Sequence, residues 1–237
     1  MAHTALLHPS RRRALLGFGA LCAAPTLLLT GCFSEPKERK AFIEFLDKEV
    51  LSARGMSYPV PNEGKRQTFG DYAKHYDVVV QFIEKMEALP LAKQIQDVGM
   101  TTSLAQLKAR REQITAISNG IPQALQDIRA LVATADKAKA ELKQPEDLKP
   151  VYDKVYAKYV TRHSELMLGI LPALQNIFTA SLELLALADQ HPKEITTVGG
   201  MTQVSSQRLL NQVNAISAKM VKEVEALNKL ESELRKL

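Results

Sequence analysis

Apolar residues recur along most of this chain at spacings of three and four, the period of a helix with one buried face. Phe42, Ile43, Phe45, Leu46, Val50 and Leu51 form the first such stripe and predict a helix from about Pro36 to Ala53, with Pro36 well placed in its first turn. Gly55 to Gly64, with Pro59, Pro61 and Asn62, reads as a loop. Tyr72, Tyr76, Val79, Val80, Ile83 and Met86 predict a second helix from about Phe69 to Leu89, interrupted by Pro90. Ser103 suits the cap of a helix reaching Asn119-Gly120, and Pro122 suits the first turn of the next, which continues to about Lys143. Pro145 and Pro150 bracket a turn. The longest helical stretch then runs from Pro150 to about Gln190, with Pro172 expected to kink or divide it. Leu209, Val213, Ile216, Met220, Val224, Leu227 and Leu234 predict a last helix from about Ser205 to Lys236.

Two segments break the helical period. Ile95-Gln96-Asp97-Val98-Gly99-Met100-Thr101 and Ile195-Thr196-Thr197-Val198-Gly199-Gly200-Met201-Thr202 match apart from one glycine. Their β-branched content favours extended backbone, so they are expected to be short strands that pair with each other. Gly199-Gly200 reads as a turn or bulge. The fold class expected is therefore all-α: a bundle of long helices with one small two-stranded β element.

The first 31 residues follow another pattern. Arg11, Arg12 and Arg13 precede an apolar stretch softened by Gly17, Gly19 and Pro25, and Leu29-Thr30-Gly31-Cys32 follows. A basic head, an apolar middle and small residues before a cut form a secretory leader, and the middle is shorter than the roughly 20 apolar residues of a permanent span. Leu29-Thr30-Gly31-Cys32 resembles the bacterial lipobox. That resemblance implies cleavage between Gly31 and Cys32, a diacylglyceryl group on the Cys32 thiol and an acyl chain (palmitate-type) on its new amino group. Several chains on one residue hold a membrane stably. Ser10 to Leu16 also resembles the twin-arginine export motif, and fits equally a general secretory leader with three arginines.

The leader carries three of the 31 basic residues and none of the 26 acidic ones, so residues 32–237 have a formal charge of only +2. A near-balanced domain gives no support for nucleic-acid binding. Cys22 leaves with the leader and Cys32 is the attachment point, so the domain has no disulfide, thiol nucleophile or cysteine metal site. The expected organisation is a signal peptide at 1–31, a lipidated Cys and short tether at 32–36, and a single helical domain at 37–237. Phe33 to Pro36 spans at most about 14 Å, which keeps the domain against the membrane.

Arg39 to Leu46 directly after the lipobox, Lys65, Gln67, Phe69 and Gly70, and Leu142-Lys143-Gln144 followed by Asp147 to Asp153 carry a family resemblance, as does Cys32-Phe33. In these blocks the chain resembles the YiaF-like family of proteobacterial lipoproteins, a domain of unknown function. The resemblance supports lipidation of Cys32 and implies no reaction, ligand or catalytic residue. By resemblance to the sorting rule of such lipoproteins, Phe33 in place of Asp implies the outer membrane, facing the periplasm.

Candidate chemistry is sparse. His75, His163 and His191 have no second histidine at i+3 or i+4, so a helical zinc motif is missing. Asp71 and His75 are one helical turn apart with Asp77 nearby, a set that fits a metal or an acid–base pair, and fits a surface contact better. Arg162-His163-Ser164-Glu165 holds hydrolase residue types, but neighbours on a helix point apart. The tyrosines at 152, 156 and 159 form a candidate groove for an apolar or peptide ligand; as a stripe they also fit a core with phenol oxygens at its edge. Lys37, Arg39, Lys40 and Lys48 near the anchor suit anionic headgroups but are diluted by Glu35, Glu38, Glu44, Asp47 and Glu49.

No catalytic residue, cofactor or metal site is therefore expected, the covalent lipid on Cys32 apart. The expected function is a non-catalytic envelope interaction or scaffold module, held to the membrane by its lipid. Its envelope protein partner would bind a helical face such as that of the last helix. A small-ligand or lipid carrier is the alternative, and a hydrolase with an unrecognised site the second.

Overall fold

The computed structural model describes residues 34–98, 103–198 and 201–236. Cys32 and the leader, and Gly199-Gly200, lie outside them. Helix α1, Glu35–Phe45, continues into a π-helical turn at Leu46–Val50. Its stripe holds: Phe42, Phe45, Leu46 and Val50 are buried. Asn62 caps α2, Glu63–Thr68, by accepting a hydrogen bond from the Lys65 amide at 2.9 Å. A 3-10 turn at Gly70–Tyr72 leads into α3, Ala73–Glu87. Gly70 explains why the predicted helix from Phe69 starts late. Its φ of 54° is open to glycine, and a Cβ there would collide with the Glu38 carboxylate.

Helix α4 is Pro90–Val98, α5 is Leu104–Ala109 and α6 is Arg111–Ala140. Helix α7, Lys149–Tyr156, passes through a π-helical segment, Ala157–Arg162, into α8, His163–Gln190. Strands β1, Ile195–Val198, and β2, Met201–Val204, pair antiparallel, with Ile195 opposite Val204 and Val198 opposite Met201. Helix α9, Gln207–Leu234, completes the chain. The architecture is all-α with one small two-stranded β element, as the periodicity predicts.

Three expectations are corrected. Ile95 to Val98 is helical, so it does not pair with Ile195–Val198; the two strands come from one segment of sequence. Pro90 starts α4, and its Leu91 and Val98 are buried, so packing against α6 overrides the β-branched preference. Pro122 does not open a new helix: α6 runs through Asn119, Gly120 and Pro122. Ile114, Ile117, Ile121, Ala124 and Ile128 make one buried stripe across the proline, and that continuous burial outweighs the lost amide bond. Nor does Pro172 divide the long stretch, which is continuously helical from Lys149 to Gln190. The change of winding lies earlier, at Ala157–Arg162.

Helix α6 runs antiparallel to α7–α8. Arg111 meets Asp189 at 2.6 Å, Gln175 donates to Ser118 at 2.7 Å, and Lys139 meets Asp153 at 2.7 Å. Helix α9 returns along α8, with Lys219 3.0 Å from Glu183 and Arg162 paired to Glu233. At Gly169 the helices approach so closely that a Cβ would touch both methyls of Leu230 at 3.4 Å. Helices α1 and α3 run parallel to α7, tied by Tyr152 to His75 and by Tyr159 to Val50. The bundle thus has a basal end, holding the starts of α1 and α7, and a distal end with the strand pair. The 42 helical residues between them span about 60 Å. This stretch is apolar enough to cross a membrane, but Leu174, Ile177, Phe178, Leu184 and Leu185 are buried, so it is the core helix.

Candidate functional site

The basal end gathers segments far apart in sequence. Arg39 on α1 lies 3.3 Å from both Glu35 and Asp147, which joins the first helix to the turn before α7. Tyr72 hydrogen-bonds Glu35. Its phenol is pushed up to about 12, by burial first and by Glu35 second, so it stays a donor. Phe42 packs on Phe69 at 5.4 Å and Phe45 on Phe69 at 5.0 Å.

His75 is buried within this aromatic cluster, its ring 6.2 Å from Phe42, 5.3 Å from Tyr72 and 6.1 Å from Tyr152. Its Nδ1 has no hydrogen-bond partner. Burial lowers its pKa, and Asp71 only partly offsets that. Asp71, His75 and Asp77 do not converge, and the surface contact favoured for Asp71 and His75 is corrected too, since His75 is buried. Asp71 is exposed and paired with Lys74 at 2.7 Å, while Asp77 takes a bidentate pair from Arg66 at 2.6 and 2.8 Å. The hydrolase-like residues also separate: Ser164 donates to the Thr161 carbonyl, Glu165 pairs with Arg162, and His163 is half-buried with its ring edge-on to Phe82. Among the described residues no three His, Cys, Asp or Glu side chains group to hold a metal.

The candidate groove at Tyr152, Tyr156 and Tyr159 is corrected. All three rings are buried, because their phenol groups find partners inside the fold. Tyr152 donates to the His75 carbonyl at 2.8 Å, and the single Tyr159 hydroxyl proton is shared between the Val50 and Ser57 carbonyls, 2.9 and 2.7 Å away. Tyr156 donates to Asp136 at 2.6 Å; burial and that carboxylate both raise its pKa. Of the four candidate headgroup cations, Arg39 is committed to ion pairs, Lys48 pairs with Glu44 at 3.7 Å, and Lys37 and Lys40 are exposed.

Beside Tyr156 a polar cleft of about 360 Å³ opens between α6 and α7. Asp136, Lys139 and Ala140 form one wall and Lys149 and Asp153 the other, with Leu142 and Gln144 from the intervening turn. Lys139 also lies 4.4 Å from the Tyr156 ring. Its Nζ pairs with Asp153 Oδ1 at 2.7 Å, which bridges the two walls. Gln144 Nε2 is buried without an acceptor. Such an atom costs about 1–3 kcal/mol when left unpaired. The sequence marks this cleft only through the proline-bracketed turn, because its walls come from two helices that the fold brings together.

The model of the family described as "Protein of unknown function (DUF3053)" matches residues 20–234. The chain belongs to this family. It is 24% identical over 213 residues to "Uncharacterized protein YiaF" of Escherichia coli (strain K12), an alignment covering 84% of this chain and 86% of the relative. The same figures hold for YiaF of Escherichia coli O157:H7 and of Shigella flexneri. No solved structure matches. The resemblance read from short blocks is thus borne out for the DUF3053 family. In the fold those blocks meet: Arg39 pairs with Asp147, Phe42 and Phe45 pack on Phe69, and Gln144, Lys149 and Asp153 line the basal cleft.

Proposed function

We propose that this chain is a lipid-anchored, non-catalytic interaction module of the bacterial cell envelope. The observation that carries the reading is the position of α1. It begins at Glu35, three residues after Cys32, and its first turn is tied to the body through Glu35–Tyr72 and Arg39–Asp147. A lipid on Cys32 would hold the basal end at the bilayer and present the distal end up to about 60 Å away. The proposed location is the periplasmic face of the outer membrane.

Two features favour an interaction module over a carrier or a hydrolase. The larger clefts, about 360 Å³ between α6 and α7 and about 430 Å³ between α8 and α9, lie open at the surface, whereas the apolar cavity under α4, lined by Met86, Leu91, Ile128 and Met167 among others, holds only about 40 Å³, against roughly 300 Å³ or more for a typical ligand pocket. The distal surface, by contrast, exposes apolar side chains: Val198 at 53%, Met201 at 70% and Val221 at 57%. An envelope protein docking along α9 and the strand pair would cover them. Mass spectrometry of the processed N-terminus tests the anchor. A triacylated Cys32 is expected, and a different first residue or a free thiol there overturns it. Photocrosslinkers at Met201 and Val221 should capture one recurrent envelope protein in cells, whereas crosslinkers at the basal Lys40 should not. Equal capture at both ends overturns the docking reading.

A further inference from the structure

Helices α8 and α9 leave an open groove of about 430 Å³ between their outward faces. Leu187 and Ile216, both half-buried, form its floor, and Ala186 and Ala215 keep its walls low. The α9 wall is unlike an ordinary solvated helix. From Leu209 to Ala218, about three turns, it carries no charged residue, although Leu210, Asn211, Gln212, Asn214, Ala215 and Ala218 are exposed. Depletion of charge on an accessible face marks the core of an interface. The charges that do border the groove are sorted by wall. The exposed α8 stripe of Asn176, Thr179, Glu183, Ala186 and Gln190 holds a single charge, Glu183. The α9 side, at Gln212, Ala215, Lys219 and Lys222, holds only positive ones. Lys219 lies 3.0 Å from Glu183, so acid and base stand at the same height on the two walls.

We propose that this groove is a self-association face, on which a second copy of the chain docks about a two-fold axis running along the groove. That axis lays the α8 wall of each copy against the α9 wall of the other at equal height. Glu183 then meets the partner's Lys219 and Lys222, and the contact is made twice. A two-fold across the groove would set α8 on α8 and α9 on α9, like charge against like. The axis that the charges select leaves both basal ends pointing the same way, so lipids on the two copies would enter one bilayer; only this agreement rests on the membrane-anchored reading. The stretch from Gln207 to Lys222, about 24 Å long and two helices wide, offers roughly 500 Å² per copy. That is the size of a weak interface, and anchoring two copies to one surface raises their effective concentration. Val221 lies on the opposite side of α9 from Gln212, so this face is separate from the one proposed for another envelope protein.

Two differently tagged full-length copies expressed in the same cells test this, one carrying Ala186→Cys on α8 and the other Ala215→Cys on α9. A short bismaleimide should join them as a covalent heterodimer, whereas two copies carrying the basal Lys40→Cys should stay at background. Copies without an added cysteine, which report any free thiol at Cys32, serve as the blank. Glu183→Lys in the first copy should lower the yield about tenfold, and Lys219→Glu added to the second should restore it to within about threefold. That rescue separates contact between copies from the bond within one, because each chain then holds like charges at positions 183 and 219. Abundance on immunoblots shows whether each variant is folded. If the Glu183→Lys copy is not, Lys219→Glu in the second copy alone carries the test, with the same tenfold loss expected. No heterodimer, a loss that the second substitution does not rescue, or capture of a different protein at Ala186→Cys in place of the copy overturns the proposal. None of these results bears on acylation of Cys32 or on capture at Val221.

Discussion

Tyr72, Tyr76, Tyr152, Tyr156 and Tyr159 tie the basal half together through their phenol groups, whereas α9 holds to α8 through an aliphatic seam, with Leu209, Met220 and Leu227 buried and Leu230 against Gly169, and through the surface pairs Lys219–Glu183 and Arg162–Glu233. Tyr76, for instance, reaches across to the Pro59 carbonyl at 3.0 Å. Among the described residues, the distal helices carry one phenylalanine, Phe178, and no tyrosine. A phenol that must meet one carbonyl fixes both distance and direction, so the basal half has a single arrangement. An aliphatic seam fixes only burial. The difference suits a module with a rigid base and a helix that opens at lower cost.

Tyr152→Ala should produce the largest effect, a loss of about 3–5 kcal/mol of stability in chemical denaturation, since it empties a filled core site and removes the phenol bond to the His75 carbonyl. Leu227→Ala on α9 should cost about 2 kcal/mol. Hydrogen exchange should then show α9 amides opening locally while the α7 amides still report global unfolding. If both helices exchange together in the wild type, the division into a rigid base and a looser helix is wrong.

Tyr159→Phe keeps the ring and deletes the phenol, stranding the Val50 and Ser57 carbonyls, and should cost about 1–3 kcal/mol. The distal counterpart is smaller. Ser206 accepts from the Leu209 amide at 3.4 Å to cap α9, and Ser206→Ala should cost about 0.5–1 kcal/mol, read as faster exchange confined to the first turns of α9.

The shallowest contrast is with pH. Burial holds His75 and His163 below their ordinary value of 6.5, so the unfolded chain binds more protons than the folded one under acidic conditions. Stability should be complete above about pH 6.5 and fall as the pH drops below it. His75→Phe should flatten part of that fall without lowering stability at neutral pH, because Nδ1 gives up no hydrogen bond. An unchanged pH profile would remove His75 from the account.

Sequence periodicity by itself determined the helices of the bundle, because a stripe such as Leu209 to Leu234 or Phe42 to Val50 can be buried only on one face of a helix. The family resemblance rested separately on short blocks of residues that the fold later joins. Tertiary structure alone decided three things. It drew Ile95 to Val98 into α4 and carried α6 through Pro122, since burying Leu91, Val98 and the isoleucine stripe outweighs local backbone preference. It turned Tyr152, Tyr156 and Tyr159 inward, because carbonyls and a carboxylate from other helices wait at their tips. And it formed the basal cleft, whose walls lie on two antiparallel helices: spacing along a chain records which side chains share a face, not which faces meet.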